Sequence, residues 1–504
     1  MLSALDRRLN AITMYRLTAF VLLGALLAAI TLSALRVLSF DPFAMAFGAG
    51  FLVAVCWAIN TLLARLFRVP ANPESTHITA LILALIYPPL GGYADLPALA
   101  AIAAVAMASK YLIAPFRKHL FNPVALAAAF GAVVLGREAT WWLANAPMLP
   151  FVAVGGLLIA RKVRRDALIA TFLGVALGAS LLLSLIEGDA PLAAVRDVIV
   201  LSPLIFFATV ILTEPITLPG TRAGQIAVAA LTGLLFTPQF HIGESGFTPE
   251  AAMLVGNALA WLIGPRRRYT FAFTRRVHLG ADVWDYFFTA SPALTFVPGQ
   301  YLEWTLGHAD ADVRGLRRLL TVASSPRERE TRVGLKIPEA PSTWKRALMA
   351  LQPGQTLTTA QVCGDFTLPR EPGRKLAFIA GGIGITPFRS MVQDLLDRGE
   401  KRDIVLFYSN RYADEIAYRD VFDAARRVGV RTVYALTGRE AVPIGWGGHV
   451  GRVDADLLRR QLPDFAERTF YLSGPNSLVD AFQAALREMG VPGSQVHKDY
   501  FPGF

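Results

Sequence analysis

Two patterns of hydrophobic and polar positions divide this chain, and the change falls near residue 265. Before it, long apolar runs alternate with short polar breaks. They predict about ten hydrophobic helices, roughly over 14–37, 44–67, 76–90, 96–114, 120–136, 147–161, 166–187, 196–214, 223–238 and 249–264. The sixth and ninth are short for a bilayer, which points to tilted or interrupted helices. Beyond the change, short alternating runs predict strands over Tyr269–Val277, Ala281–Ser291, Phe296–Trp304 and Val333–Ile337, the elements of a small antiparallel barrel. The pattern shifts again at Leu376–Ile379, a continuous apolar run suited to a buried parallel strand. A glycine-rich break at Gly381, Gly382 and Gly384 follows, then a helix-like segment from Pro387 to Leu396.

Charge refines this picture. The formal net charge is +11, and 54% of the residues are apolar. The basic clusters lie beside hydrophobic runs: Arg65 and Arg68, Arg117 and Lys118, Arg161 to Arg165, Arg222, and Arg266 to Arg268. The opposite loops, such as Gly91–Asp95 and Glu187–Asp189, are neutral or acidic. By the positive-inside rule this predicts a multi-pass protein of an inner (cytoplasmic) membrane with both termini cytoplasmic. Membrane lipid therefore accounts for the basic charge, and no nucleic-acid partner is expected. The N-terminus, with Arg7, Arg8 and Arg16, lacks a small-residue cleavage pattern and reads as an anchor. Cys56 and Cys363 are the two cysteines, too few for an iron–sulfur cluster held by four.

Candidate chemistry lies in both halves. A strand, a glycine turn and a helix start, as at Gly381–Thr386–Pro387, present backbone N–H groups to a pyrophosphate. Arg318 with Thr321 in one strand could hold a phosphate and a flavin edge together. The helix start at Ser342–Thr343 suits a second phosphate contact. Ser409 and Arg411 follow a strand where a 2′-phosphate could sit, but Asp414 and Glu415 stand close by, which favours NADH over NADPH. Within the apolar half, Ser75–Pro89 with Thr79, Phe121–Asn122–Pro123, and Leu212–Thr213–Glu214–Pro215 set polar residues beside proline. They read as broken-helix ends that offer hydrogen bonds to a bound group.

At these residues the apolar half resembles the ten-span membrane components of two electron-transport assemblies, the Rnf complex and the sodium-translocating NADH:quinone reductase, over roughly 70–240. That resemblance implies flavin within the membrane. Of the motif that attaches FMN covalently in those components, Gly136–Trp142 retains Ala139 and Thr140, so a second flavin (FMN or riboflavin) bound without a covalent link is expected. The rest of the chain, about 268–504, resembles the ferredoxin–NADP reductase superfamily. Arg318 and Thr321 fall on its flavin motif, with Leu320 replacing a tyrosine, and Ser342 and Thr343 on its FAD-pyrophosphate segment. The Gly381–Pro387 turn falls on the nicotinamide-dinucleotide motif. Ser473–Gly474–Pro475 matches its Cys-Gly-Pro segment, and Asp499–Phe504 its closing aromatic motif, with Phe501 and Phe504. The resemblance implies that Thr321, Ser473 and Phe504 neighbour the reacting nicotinamide and flavin rings.

The expected architecture is thus a polytopic helical domain over 1–265, a β-barrel FAD-binding domain over 266–371, and an α/β NAD(P)-binding domain over 372–504. The expected activity is NAD(P)H oxidation through FAD, with electrons passed into the membrane half and on to quinone or an extracytoplasmic redox partner. A redox-driven Na⁺ or H⁺ transporter using Glu214 and Asn122 is the alternative. A haem-bearing transmembrane reductase is another, though it needs paired histidines and only His77 and His119 lie at suitable span ends. Neither haem nor a metal site is expected.

Overall fold

The computed structural model describes all residues except 1–4, 6–8, 10–11, 68–72, 116–117, 243–244, 265–267, 310, 313–314, 439, 441 and 500–504, and the side chains of 242, 245, 360 and 361. The chain divides into two compact units at Arg267/Arg268.

The first unit is helical: α1 (Met14–Ala34), α2 (Pro42–Leu66), α3 (Pro73–Ile86), α4 (Leu96–Leu112), α5 (Pro123–Leu135), α6 (Leu149–Val163), α7 (Asp166–Glu187), α8 (Pro191–Leu201), α9 (Leu204–Ile211), α10 (Arg222–Phe236) and α11 (Pro249–Ile263). Starts follow capping chemistry. Asp41, Asn122, Thr221 and Thr248 accept N–H groups of the first turn, and Pro42, Pro123 and Pro249 sit at N-terminal positions that need no donor. The expected eighth helix is two pieces, α8 and α9, bent by 62°. Pro203 removes an N–H at that break. Phe207–Ile211 then runs as a π turn, closed by Leu212 N–H donating to Phe207 O at 2.9 Å. Phe172, Phe207 and Phe236 pack there with ring centroids 4.9–5.3 Å apart. The expectation of ten spans is larger than length alone supports. Among the described residues four helices are long and apolar enough to cross a membrane, or five with the bent pair as one span. Large apolar side chains stay on the outside, among them Phe20, Phe43, Trp57, Leu66, Val133 and Leu157.

The second unit begins with β1 (Tyr269–Gly280), β2 (Val283–Ser291), β3 (Tyr301–Thr305), β4 (Arg317–Thr321), β5 (Thr331–Lys336), α12 (Thr343–Met349) and β6 (Thr356–Cys363). These strands form one antiparallel sheet in the order β4-β3-β6-β1-β2-β5. Its core gathers Phe271, Phe273, Phe288, Trp304 and Trp344. The strand expected over Phe296–Trp304 starts only at Tyr301, because Pro298 has no donor and Gly299 turns with φ +97°.

Then come β7 (Leu376–Gly381), α13 (Thr386–Arg398), β8 (Ile404–Asn410), α14 (Arg419–Ala424), β9 (Val430–Leu436), β10 (His449–Val450), α15 (Ala455–Gln461), β11 (Thr469–Ser473), α16 (Asn476–Glu488) and β12 (Val496–Asp499). The six strands are parallel, in the order β10-β9-β8-β7-β11-β12. Every residue of β7 is buried, as the unbroken apolar run requires. From β7 the chain runs outward through β8, β9 and β10, then returns to the other side of β7 for β11 and β12. The order therefore reverses between β7 and β11.

Residues from Arg268 onward, expressed alone, are expected to remain soluble without detergent, since apolar side chains of this unit fill its own cores. Ultracentrifugation checks this; a fragment that pellets unless detergent is present contradicts it.

Candidate active site

In an open parallel sheet, ligands bind outside the carboxyl ends of the strands where the order reverses. Here that point is held by two glycine turns. Gly381 ends β7, and Gly382 (φ +52°) opens the tight turn Gly382–Ile385 that leads into α13. Ser473 ends β11, and Gly474 and Pro475 lead into α16. The turns touch backbone to backbone. A Cβ on Gly384 would lie 2.5 Å from Gly474 N and Cα and 2.7 Å from Ser473 C, and a Cβ on Gly381 2.4 Å from Leu478 Cδ1. Around Gly382 the space is open. Thr386 donates its hydroxyl to Ile383 O at 3.2 Å and so braces the turn, while Pro387 stands in the first turn of α13. The structure thus brings the predicted Gly381, Gly382, Gly384, Thr386, Pro387, Ser473, Gly474 and Pro475 together at the reversal of strand order.

On the antiparallel sheet, Arg318 of β4 is buried. Its guanidinium donates to Arg317 O at 2.6 Å and Gly315 O at 3.2 Å, and lies 5.7 Å from the centroid of Trp344. Asp312 stands 3.8 Å from it and accepts Thr343 N–H at 3.2 Å, while Ser342 caps α12 by accepting Lys345 N–H. Thr343 Oγ1 also lies 3.0 Å from His308 Nε2. Arg318, Ser342 and Thr343 therefore share one polar corner, a basic side chain beside a helix start, of the kind an FAD pyrophosphate would need. Leu320 pairs with Leu302 and Thr321 with Tyr301 across β3, placing Thr321 at the end of β4 next to the buried Val322–Ser325 segment.

Residues 378–484 match the family model "Oxidoreductase NAD-binding domain". The chain is 28% identical over 237 residues to the glycine betaine monooxygenase reductase subunit of Pseudomonas aeruginosa, covering 45% of this chain and 63% of that one. It is 30% identical over 209 residues to reductase component 1 of terephthalate 1,2-dioxygenase from Comamonas sp., covering 41% and 59%. It is 29% identical over 245 residues to a flavohemoprotein of Pseudomonas putida, covering 47% and 60%. The chain thus spans about six-tenths of these curated relatives. Among solved structures, the cytochrome b5 reductase domain of Ulva prolifera nitrate reductase is 20% identical with a TM-score of 0.42, covering 47% of this chain and 98% of that one. The second unit is similar to these reductase components, and its residues 378–484 carry an oxidoreductase NAD-binding domain.

Within this second unit the Ser473 hydroxyl donates to Asp499 Oδ2 at 3.3 Å across the β11/β12 pairing. Burial pushes the Asp499 carboxyl up to about 7, against which the Ser473 bond works. Phe501 and Phe504 lie outside the described residues. At the end of β8, Ser409 leads to Arg411, whose guanidinium lies over the Tyr412 ring and 3.7 Å from Glu440. Glu415 Oε2 accepts the N–H groups of Arg411 (2.8 Å) and Tyr412 (3.3 Å), and Oε1 takes Lys336 Nζ at 2.9 Å. Glu415 thus takes up the backbone N–H groups beside Arg411, and Glu440 stands near its guanidinium.

The three polar residues expected to hold a group in the helical unit are engaged with the protein itself. Thr79 donates to Ser75 O at 2.8 Å and accepts Lys110 Nζ at 2.9 Å. Asn122 caps α5 and gives its amide to Glu214 at 2.8 Å, while Thr213 donates back to Thr209 O at 2.7 Å. The structure joins Asn122 to Glu214 and leaves Thr213 turned into its own helix. Sequence reasoning missed Lys110, the one basic residue inside the run 96–114, and Asn257, whose Oδ1 accepts Asn122 N–H at 2.7 Å. Among the described residues no group of three metal-binding side chains converges.

Asp499 sets a pH dependence. Its folded-state value lies above the ordinary 3.8, so between 3.8 and about 7 the unfolded chain holds fewer protons than the folded one. Stability contributed by this group is therefore present at low pH and lost as pH rises through about 7. Asp499→Asn should flatten that slope in urea unfolding curves of the soluble domain; an unchanged slope contradicts the assignment.

Proposed function

We propose that the chain is a membrane-bound NAD(P)H-oxidising flavoprotein that passes electrons from its reductase domain into the helical unit, to quinone or an extracytoplasmic redox partner. The observation that carries the catalytic half is the contact of the Gly382–Ile385 turn with Gly474 at the reversal of strand order. The nicotinamide end of the substrate docks at these turns, with backbone N–H groups of the glycine turn directed at its pyrophosphate. Arg318 neutralises phosphate, and Ser342 and Thr343 supply the adjoining helix start. FAD, when bound, supplies hydride acceptance and release of single electrons. Ser473 and Asp499 hold a proton in the buried space beside the nicotinamide site, and Thr321 borders the flavin edge.

Glu415 and Glu440 direct the nucleotide choice to NADH, since a 2′-phosphate would have to displace one carboxylate and face the other. A preference for NADH in kcat/KM is expected, and Glu415→Gln combined with Glu440→Gln should narrow it at least several-fold. Equal use of NADPH by the unaltered protein contradicts this.

The outward apolar side chains of the helical unit support a lipid environment, and the basic loop clusters support cytoplasmic termini. A hydrocarbon core roughly 30 Å thick is too wide for one electron step, so a carrier inside the unit is required if electrons reach the far face. With two cysteines in the chain, a second flavin (FMN or riboflavin) is the carrier we infer. The segments around Thr79, Asn122 and Thr213 remain its proposed surroundings, after exchange of some of their present hydrogen bonds. Glu214 with Asn122 keeps the redox-driven Na⁺ or H⁺ transport reading open, because a carboxylate among apolar helices is otherwise costly. Denaturing the purified full-length protein and quantifying released flavin tests the carrier: more than one flavin per chain is expected, and one FAD alone contradicts it.

A further inference from the structure

The reductase domain joins its two sheets through a buried polar strut that lies directly under the nicotinamide-dinucleotide turn. Asp285 of β2 is fully buried and pairs in register with Gly334 of β5. The Tyr418 hydroxyl, from the segment before α14, donates to Asp285 Oδ1 at 2.5 Å. Tyr418 is itself buried and held in a left-handed conformation, φ +58°, which a bulky side chain adopts only under constraint. Asp285 Oδ2 lies 3.3 Å from Arg332 of β5, and Arg332 lies 3.5 Å from Glu328. Glu328 grips Arg389 of α13, whose Nη2 stands 3.0 Å from Oε1, and Arg389 donates to Ala323 O at 2.9 Å. One chain of charges thus runs from the antiparallel sheet into the helix that begins at Thr386.

Gly334 is where this strut meets the turn. A Cβ there would stand 2.3 Å from the Tyr418 hydroxyl oxygen, 2.9 Å from the Thr386 methyl and 3.3 Å from Asp285 Oδ1. Thr386 rests on bare backbone, and its hydroxyl is the one that braces Ile383 O within the glycine turn. The height of the turn over the antiparallel sheet is therefore set by contact with Gly334 and by the Tyr418–Asp285 bond beside it.

We propose that Gly334, Asp285 and Tyr418 are positioning residues for hydride transfer, fixing the Thr386-braced turn relative to the flavin-binding sheet. This rests on the reductase reading above. None of the three is asked to touch substrate; each acts through Thr386. A misplacement near 1 Å costs about a hundredfold in rate when reacting atoms must meet at contact distance. The same displacement leaves most binding contacts intact.

The test uses full-length, flavin-loaded protein in detergent. Three quantities are measured: NAD⁺ affinity by calorimetry, thermal stability, and the rate of flavin bleaching by saturating NADH in a single anaerobic turnover. Tyr418→Phe is expected to slow bleaching at least tenfold while NAD⁺ affinity stays within about threefold. Asp285→Asn keeps an acceptor for the Tyr418 hydroxyl and is expected to retain most of the rate. Gly334→Ala is expected to lower the rate further, and if it fails to fold, the Tyr418→Phe and Asp285→Asn pair decides. A Tyr418→Phe protein of lower melting temperature but unchanged bleaching rate overturns the positioning role and leaves the reductase reading standing. An unaltered protein that NADH does not bleach overturns that reading, and this inference with it.

Discussion

Backbone contact between two glycine turns is the constraint on which the second unit depends. Strands β7 and β11 are neighbours in the sheet, so the turns that leave them must pass within van der Waals distance. A Cβ on Gly384 would come to 2.5 Å of Gly474, which only removal of both side chains relieves. The first turn is held on both sides, because β7 is buried at every position and Thr386 is seated against Gly334. Around Gly382 the turn stays open.

The electrostatics follow from that arrangement. Asp285 is pushed up to about 6 by burial, with the Tyr418 bond and Arg332 opposing the shift. Isolated, such a carboxylate would be costly; paired with a hydroxyl and an arginine it becomes a rigid connection between sheets. Asp499, with Ser473 as its hydrogen-bond partner, is pushed further up, to about 7. The two buried acids therefore differ in role. One is tied into a network of cations, and the other is held by the Ser473 hydroxyl at the end of β11.

Much of this was legible in the sequence. The continuous run Leu376–Ile379 with its glycines marked the parallel strand and its turn, since a side chain at those positions has no room. Alternation marked the antiparallel strands, except where Pro298 and Gly299 delay β3. Nothing local announced the strut. Asp285, Gly334, Arg389 and Tyr418 are separated by up to 133 positions and come together only where the β2/β5 pair meets α13 and the segment before α14. Glu415, by contrast, stood out in the sequence as an acid beside Arg411, and the structure adds that it accepts the Arg411 and Tyr412 N–H groups. In the helical unit, proline beside Asn122 and Glu214 did indicate helix ends. That they would bond to each other across 92 positions was not readable from either segment.

The most direct measurement is an anaerobic titration of the purified full-length protein with NADH, following visible flavin absorption. The account predicts bleaching that consumes more than one NADH per chain, the first equivalent filling the reductase-domain flavin and the remainder reaching the helical unit. Bleaching complete at one equivalent would confine the electrons to the reductase domain. Absence of bleaching would contradict the account at its centre.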